Sequence, residues 1–286
     1  MKMKDYMLGL YEKSMPKELS WHEKLICAKE AGYDFVEISI DETDEKLSRL
    51  DSSKEERLEM LKTIYEIGVP ISTMCLSGHR KYPLGSADKA VRNNGMEIMK
   101  KAIDFAMDLD IRIIQLAGYD VYYETSTEET KKLFEKNLVK AVQYAAKCGV
   151  ILAFETMETE FMNTVGKAMK FVNKVDSPYL QVYPDCGNLT NAAITYSTNV
   201  FEDIKSGRGH IAAFHLKETV PGKFREIPFG TGHVDFVNII DTAWSLGVRK
   251  YVTEFWYVGN ENWREEIKFA NKFMSEKVNK VLEERR

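Results

Sequence analysis

Four short apolar segments in the second half of the chain each end in a residue that can bind a metal ion. Because side chains alternate between the two faces of a strand, each of these residues shares a face with the residue two positions before it. Consecutive parallel strands would bring the four side chains to one edge of a sheet. The four residues are Glu155, Asp185, His215 and Glu254, and the residues two positions before them, expected in the interior, are Ala153, Tyr183, Ala213 and Val252.

Three carboxylates and an imidazole cannot crowd into a half-buried site without large pKa shifts unless a cation lies among them. A single acidic residue at a strand end is usually a solvated cap or an ion pair, and a lone histidine is usually hydrogen-bonded in a core. Four such residues at matched depth favour one divalent metal ion, bound by Glu155, Asp185, His215 and Glu254. Mixed nitrogen and oxygen ligands suit Mn, Zn, Co or Mg, and the sequence does not choose among them.

Glu155 and Glu254 come from strands that two other strands separate, so they would approach a bound substrate from different sides. Paired carboxylates on opposite faces of a carbon suit removal of a proton from one face and its return to the other. A metal ion that chelates a ketone and the neighbouring hydroxyl would stabilise the cis-enediolate formed between these steps. The pattern predicts epimerisation next to a carbonyl, with Glu155 and Glu254 as the catalytic acid and base.

These residues are positioned by an alternation of two kinds of segment along the chain. Eight apolar, β-branched segments recur, and a longer amphipathic or charged stretch follows each one. Strict alternation predicts a parallel sheet with right-handed crossovers, and eight units predict closure into a single (β/α)8 TIM barrel of the α/β class. The predicted strands are residues 7–11, 35–40, 70–76, 111–117, 150–156, 180–184, 211–216 and 251–255.

Glycines just past a periodic segment, such as Gly68 and Gly149, mark the ends of several predicted helices. Residues 185–200 are rich in Asn, Thr and Ser and are predicted to contain the longest irregular loop. An open doubly wound sheet would usually carry a Gly-rich turn after its first strand, but Glu12 and Lys13 stand there. We therefore expect one domain, residues 1–286. The predicted helices are residues 17–31, 53–67, 86–109, 126–147, 164–175, 200–205, 235–246 and 262–285.

The composition is that of a globular chain with a slightly acidic balance. Its 286 residues include 40 Lys and Arg against 44 Asp and Glu, a formal net charge of −4, which creates no global field for nucleic acid. The four cysteines form no CxxC pair, which favours reduced thiols. The apolar run at residues 6–11 is too short for a signal peptide, and no segment reaches the roughly 18 apolar residues of a membrane span. We expect a cytoplasmic protein with no membrane or nucleic-acid partner.

Longer stretches around the predicted site carry a resemblance to a known family. They are residues 9–13, 35–44, 74–80, 115–123, 183–189 and 228–236. In these stretches the chain resembles the L-ribulose-5-phosphate 3-epimerases of bacterial L-ascorbate and pentose catabolism, also described as L-xylulose-5-phosphate 3-epimerases. More broadly, it is similar to the xylose-isomerase-like barrels, which include ketose 3-epimerases and endonuclease IV. Glu218 departs from that superfamily, which usually has Asp after His-x-Lys.

The resemblance implies a metal-dependent TIM-barrel isomerase that inverts C3 of a ketopentose 5-phosphate, either L-ribulose 5-phosphate or L-xylulose 5-phosphate. It places the metal ion on Glu155, Asp185, His215 and Glu254 and makes Glu155 and Glu254 the acid/base pair. It also suggests a homodimer. The physiological epimer, the need for phosphate and the metal are left open.

Five further residues are expected to bind the substrate: Glu37, His79, Asn188, Lys217 and Arg225. Asn188 lies just beyond the sixth strand, where a contact to a substrate hydroxyl and a simple turn are both open. Lys217 lies just beyond the seventh strand, where it would polarise the carbonyl or form a structural ion pair. Glu37 would contact substrate hydroxyls or hydrogen-bond a metal ligand. His79 would line the mouth of the barrel or lie in an exposed loop.

A phosphosugar also needs an anion site, and the sequence offers two. Residues 220–232 contain Lys223, Arg225 and a Gly-Thr-Gly, in a loop where barrels often bind phosphate. Asn163 and Thr164 open a helix whose N-terminus would attract an anion, although a plain N-cap explains them equally.

Other functions share parts of this pattern. A ketose 3-epimerase or an aldose–ketose isomerase acting on an unphosphorylated sugar would use the same enediolate. An endonuclease IV-like protein would need many histidines for several zinc ions, and this chain has five. A barrel that only binds a sugar would not need an acid/base pair. These comparisons favour the epimerase.

Overall fold

The strands observed in the computed structural model, which describes residues 4–285, agree closely with those expected from the sequence. They are β1 (Met7–Tyr11), β2 (Phe35–Ile40), β3 (Ile71–Leu76), β4 (Ile113–Ala117), β5 (Ile151–Glu155), β6 (Leu180–Tyr183), β7 (Phe214–Leu216) and β8 (Lys250–Thr253). All paired strands are parallel, in the order β6-β5-β4-β3-β2-β1-β8-β7.

The two ends of this sheet meet through isolated backbone bridges. Val182 pairs with Ile211, and Asp185 pairs with His215. The predicted seventh strand began at residue 211, but β7 begins at Phe214 because residues 211–213 join β6 only through the first of these bridges. The (β/α)8 barrel is therefore confirmed, and its seam runs between two residues of the predicted metal site.

The described residues also form ten α-helices. They are α1 (Trp21–Glu30), α2 (Asp44–Ser48), α3 (Lys54–Ile67), α4 (Lys89–Asp108), α5 (Glu128–Cys148), α6 (Val165–Val175), α7 (Cys186–Tyr196), α8 (Val200–Lys205), α9 (Phe236–Ser245) and α10 (Trp263–Glu284). Side chains cap the first turns; Ser20 and Ser53, for example, form capping boxes at α1 and α3. Within residues 4–285 none of the helices combines the length and apolar character that crossing a bilayer requires.

Helix α7 corrects the predicted loop at residues 185–200. The Asp185 side chain caps this helix by accepting a hydrogen bond from the Asn188 amide at 2.7 Å, and Ser197 ends it in the left-handed conformation. The polar residues that suggested a loop are buried: Asn188 donates to the Thr156 carbonyl, and Asn191 accepts from the Gly222 amide. Buried amides with partners outside the helix thus replace the apolar face expected of a helix.

The core has two parts that lie on opposite sides of the sheet. The larger part fills the space between the strands and the helices. The smaller part lies inside the barrel and consists of Tyr11, Phe35, Cys75, Ile113, Ala153, Tyr183, Ala213 and Val252. It includes all four residues that the alternation of side chains placed in the interior, so the direction of the residues that follow them is settled by the same alternation.

Candidate active site

The four predicted metal ligands meet at the carboxyl ends of four neighbouring strands. Glu155 is the last residue of β5, Asp185 caps α7, His215 is the middle residue of β7, and Glu254 follows β8. All four are buried, and one possible ligand atom from each lies within 4.8 Å of the others. The arrangement follows from the parallel sheet, which brings the ends of these strands to one edge.

His215 is held by a hydrogen bond on the side that faces away from this cluster. Its Nε2 lies 2.6 Å from Glu37 Oε1, and the other oxygen of Glu37 accepts hydrogen bonds from Thr73 Oγ1 at 2.7 Å and the Tyr183 hydroxyl at 2.9 Å. Because a carboxylate only accepts, the proton belongs on Nε2, and Nδ1 is turned towards the cluster. Nδ1 lies 3.0 Å from Glu254 Oε2.

The charges around the imidazole favour a positive charge on it. Burial alone would lower the pKa of His215, but the carboxylates of Glu37 and Glu254 raise it well above its usual range. A proton or a metal ion on Nδ1 would supply that charge.

Lys217 adds a fixed positive charge beside the cluster. Its Nζ lies 2.9 Å from Asp185 Oδ2 and 3.7 Å from Glu254 Oε2. Burial alone would lower the pKa of Lys217, but Asp185 and Glu254 raise it, so the ammonium group stays charged. Burial would also raise the pKa of Glu254, but Lys217 and His215 lower it. Glu254 is therefore an ionised carboxylate that can accept a proton.

The donor set fits a divalent cation. Among the described residues, Asp185 Oδ2, His215 Nδ1 and Glu254 Oε2 are buried atoms without a hydrogen-bond partner of good geometry. Such atoms are costly unless another group satisfies them. Three carboxylates and one imidazole would satisfy a cation such as Mn, Zn, Co or Mg, and the cation would offset their repulsion.

A cavity opens beside the cluster, and three of the five predicted substrate-binding residues line it. Asn188, Lys217 and Arg225 share this cavity with Glu155 and Glu254. Residues that were not predicted also line it. Tyr11 and Trp256 follow the same strand-end rule on β1 and β8, and their rings form an edge-to-face pair with centroids 6.2 Å apart.

The other two predicted substrate-binding residues lie behind this cavity. Glu37 is wholly buried against His215, where it positions the imidazole. His79 Nε2 donates to the Gly95 carbonyl in α4 at 3.0 Å, and burial lowers the pKa of His79 to about 4. His79 is therefore a neutral side chain that ties the turn after β3 to α4.

Carboxylates of the chain itself fill both backbone sites that were considered for an anion. Glu218 accepts hydrogen bonds from the amides of Gly230 and Val234, so it occupies the Gly-Thr-Gly turn. Asp203 accepts from the amides of Val165 and Gly166 at the N-terminus of α6. Neither turn presents these amides to the cavity.

Comparison with known proteins agrees with this geometry. Residues 27–273 match the family model described as xylose isomerase-like TIM barrel. The curated protein L-ribulose-5-phosphate 3-epimerase UlaE of Salmonella heidelberg (strain SL476) is 44% identical over 276 residues, which is 96% of either chain. The protein of the same name from Escherichia coli O139:H28 (strain E24377A / ETEC) is 44% identical over 279 residues, or 97% of either chain.

Solved structures of more distant proteins share the fold. A structure of L-ribulose 3-epimerase has a TM-score of 0.77 at 20% identity, and the match covers 98% of this chain and 96% of that one. D-allulose 3-epimerase from Methylomonas sp. has a TM-score of 0.78 at 16% identity, covering 96% and 99% of the two chains. The resemblance noted in the sequence is therefore confirmed: the chain belongs to the L-ribulose-5-phosphate 3-epimerase family, a group of carbohydrate epimerases within the xylose isomerase-like TIM barrels.

Proposed function

We propose that this protein interconverts L-ribulose 5-phosphate and L-xylulose 5-phosphate by inverting C3, with Glu155 and Glu254 as the two proton-transfer groups. The observation that carries the proposal is the convergence of these carboxylates with Asp185 and His215 within 4.8 Å at the edge of one cavity. The curated relatives that are 44% identical bear the name of this activity, which supports the choice of substrate.

Glu155, Asp185, Glu254 and the Nδ1 of His215 would hold one divalent metal ion, with Mn, Zn, Co and Mg as candidates. Such an ion would polarise the ketone and the neighbouring hydroxyl, which makes the C3 proton more acidic. Glu37 would keep Nδ1 of His215 directed at the ion through its hydrogen bond to Nε2.

The two carboxylates would act on opposite faces of C3. In one direction, one carboxylate takes the proton from C3, and the bonding pair moves towards C2 to form an enediolate. The other carboxylate, protonated at that moment, returns a proton to the opposite face, which inverts C3. In the reverse direction the two exchange roles. Lys217 supports this cycle because its charge lowers the pKa of Glu254 and keeps an ionised base available.

The site around C3 would be completed by three residues that line the cavity. Asn188, Lys217 and Arg225 offer donors to substrate hydroxyls and oxygens. Trp256 and Tyr11 supply an apolar wall. We further propose that the enzyme works in the cytoplasm, as a single domain of residues 1–286 and as a homodimer; the thiols of Cys27, Cys75, Cys148 and Cys186, all free, support a reducing compartment.

Proton exchange at the substrate tests this proposal. Metal-replete enzyme is mixed with L-ribulose 5-phosphate in heavy water, and proton NMR follows both the sugar and its exchange. Deuterium should appear at C3 together with L-xylulose 5-phosphate, and EDTA, Glu155→Gln or Glu254→Gln should each abolish both. Glu97→Gln is the control, because Glu97 is an exposed carboxylate on α4. Exchange at C1 with an aldose product would instead assign an isomerase, and no exchange at any carbon would overturn the proposal.

A further inference from the structure

A ketopentose 5-phosphate brings a dianionic group into the cavity, and that group needs a cation. Only C4, C5 and one oxygen separate C3 from phosphorus, so phosphate must bind within the cavity that holds Glu155 and Glu254. The two backbone turns considered above hold Glu218 and Asp203 instead of an external anion. The phosphate partner is therefore sought among the cationic side chains that line the cavity.

Four cationic side chains line this cavity, and three of them already have an acidic partner. Lys13 Nζ lies 2.6 Å from Asp41, and Lys217 Nζ lies 2.9 Å from Asp185. Arg225 donates to Glu158 at 3.0 Å. Each of these charges is offset by the chain itself, so each would have to give up a partner to bind phosphate.

Arg80, the fourth, is different. It lies at the end of the turn that follows β3, it is half-buried, and no carboxylate in residues 4–285 comes within 4 Å of it as an ion-pair partner. Its Nε is a buried donor that lacks a hydrogen bond among the described residues. Glu42 and Glu158 act on it only at longer range. A buried guanidinium with an unused donor is costly unless a ligand completes it.

An aromatic side chain holds the guanidinium in place. Its central carbon lies 4.7 Å from the ring centroid of Tyr122. Tyr122 in turn packs against Tyr119, whose hydroxyl donates to the Ser77 carbonyl at 3.4 Å. This contact orders the side chain while its edge stays open, which reduces the entropy that phosphate binding would otherwise cost.

We infer that Arg80 binds the phosphate of the substrate and gives the enzyme its preference for phosphorylated over unphosphorylated ketopentoses. The planar guanidinium offers two parallel N–H groups to two phosphate oxygens, a geometry that an ammonium group cannot reproduce. Arg80 is a specificity-determining residue, since it touches the substrate at a distance from C3. The inference rests on the proposed function for its substrate.

The ratio of kcat/KM for L-ribulose 5-phosphate to kcat/KM for L-ribulose tests this role. Arg80→Ala should lower the ratio by about 10- to 100-fold, chiefly through KM of the phosphorylated sugar, because charged hydrogen bonds to phosphate are lost. Arg80→Lys should lower it less, since it keeps the charge and loses the paired donors. Lys81→Ala is the matched control, because Lys81 is exposed and lies 3.4 Å from Asp44; it should leave the ratio unchanged.

A binding measurement keeps this inference separate from the proposed function. Inorganic phosphate is titrated into the Mg²⁺-loaded protein and followed by calorimetry, with circular dichroism to confirm that each variant is folded. Arg80→Ala should weaken phosphate binding at least 10-fold, and Lys81→Ala should not. If wild-type protein turns over neither sugar but Arg80→Ala still weakens phosphate binding, the anion site stands and the proposed reaction fails. An unchanged substrate ratio, or unchanged phosphate affinity in Arg80→Ala, would overturn the role of Arg80.

Discussion

Glu37 and His215 are joined by a hydrogen bond of 2.6 Å that lies wholly inside the barrel. Although 178 positions separate the two residues along the chain, β2 and β7 point both side chains into the same interior. The bond places the proton of the imidazole on Nε2 and leaves Nδ1 to face Glu155 and Glu254. The strength of the metal site should therefore depend on a residue that does not face the metal.

Glu37→Gln should weaken metal binding by about 10- to 100-fold, because the neutral amide neither fixes the imidazole as firmly nor raises its basicity. The dissociation constant for Mn²⁺ is measured by competition with a fluorescent chelator. Tyr183→Phe removes one of the two hydrogen bonds that Glu37 accepts and should have a smaller effect in the same direction. Mn²⁺ affinity equal to that of the wild type in Glu37→Gln would contradict this role for Glu37.

Glu12 is the centre of a buried ion cluster on the other side of β1. It receives Lys24 Nζ at 2.8 Å, Lys46 Nζ at 2.6 Å and Arg49 at 2.8 Å, and it is 1% exposed. Burial alone would raise the pKa of Glu12, but Arg49 and the two lysines hold it far below its usual range. Its negative charge is therefore part of the folded structure.

Glu12→Gln should lower the free energy of unfolding by about 3 kcal/mol at pH 7, because it leaves buried cations without their partner. A lowered folded-state pKa stabilises the protein above the unfolded value of about 4.3, and this contribution is lost as pH falls below it. The difference between wild type and variant should therefore be largest near pH 7 and narrow below about pH 4. Urea unfolding at several pH values measures it. Glu18→Gln, at an exposed position, should show no difference, and a constant gap down to pH 3 would contradict the charge argument.

The sequence predicts the four cluster residues because strand ends are visible in a single chain. An apolar segment that stops at Glu155 or Asp185 shows both where the strand ends and, through the alternation of side chains, which way the last residue points. In a parallel barrel those two facts place the side chain at the mouth. Tyr11 and Trp256 lie at strand ends in the same way, so the same rule could have found them.

Residues whose position depends on tertiary partners could not be placed in this way. His79 follows β3 directly, yet its ring turns back to α4 because the Gly95 carbonyl offers an acceptor there. The Gly-Thr-Gly turn has the spacing of an anion site, but the anion is Glu218, from the same chain. Helix α7 looks like a loop because its Asn residues bond to neighbouring segments rather than to water. In each case the deciding partner is remote in sequence.

Metal binding should stabilise the folded protein, because the inward-facing atoms of Asp185, His215 and Glu254 lack other partners. At about 100 times its dissociation constant, a metal ion contributes roughly 2.7 kcal/mol, which raises Tm by roughly 5 to 10 °C. Calorimetry in Mn²⁺ and in EDTA measures the shift, independently of activity. Glu155→Gln should reduce the shift, and the exposed substitution Glu97→Gln should leave it intact. Identical melting curves in Mn²⁺ and EDTA would show that the cluster holds no metal.

Gly232 should tolerate no side chain, because a Cβ there would overlap the Thr219 carbonyl and the Glu218 carboxylate. Gly232→Ala must push apart the loop that Glu218 holds, at a cost of about 1 to 3 kcal/mol. Gly166→Ala is the matched control, since its Cβ would meet only Asp203 at 3.5 Å, an ordinary contact within α6. Denaturant unfolding should show a lower midpoint for Gly232→Ala and no loss for Gly166→Ala. Because Arg225 lies in the same loop and lines the cavity, Gly232→Ala should also raise KM. Wild-type stability in Gly232→Ala would mean that Glu218 does not hold this loop closed.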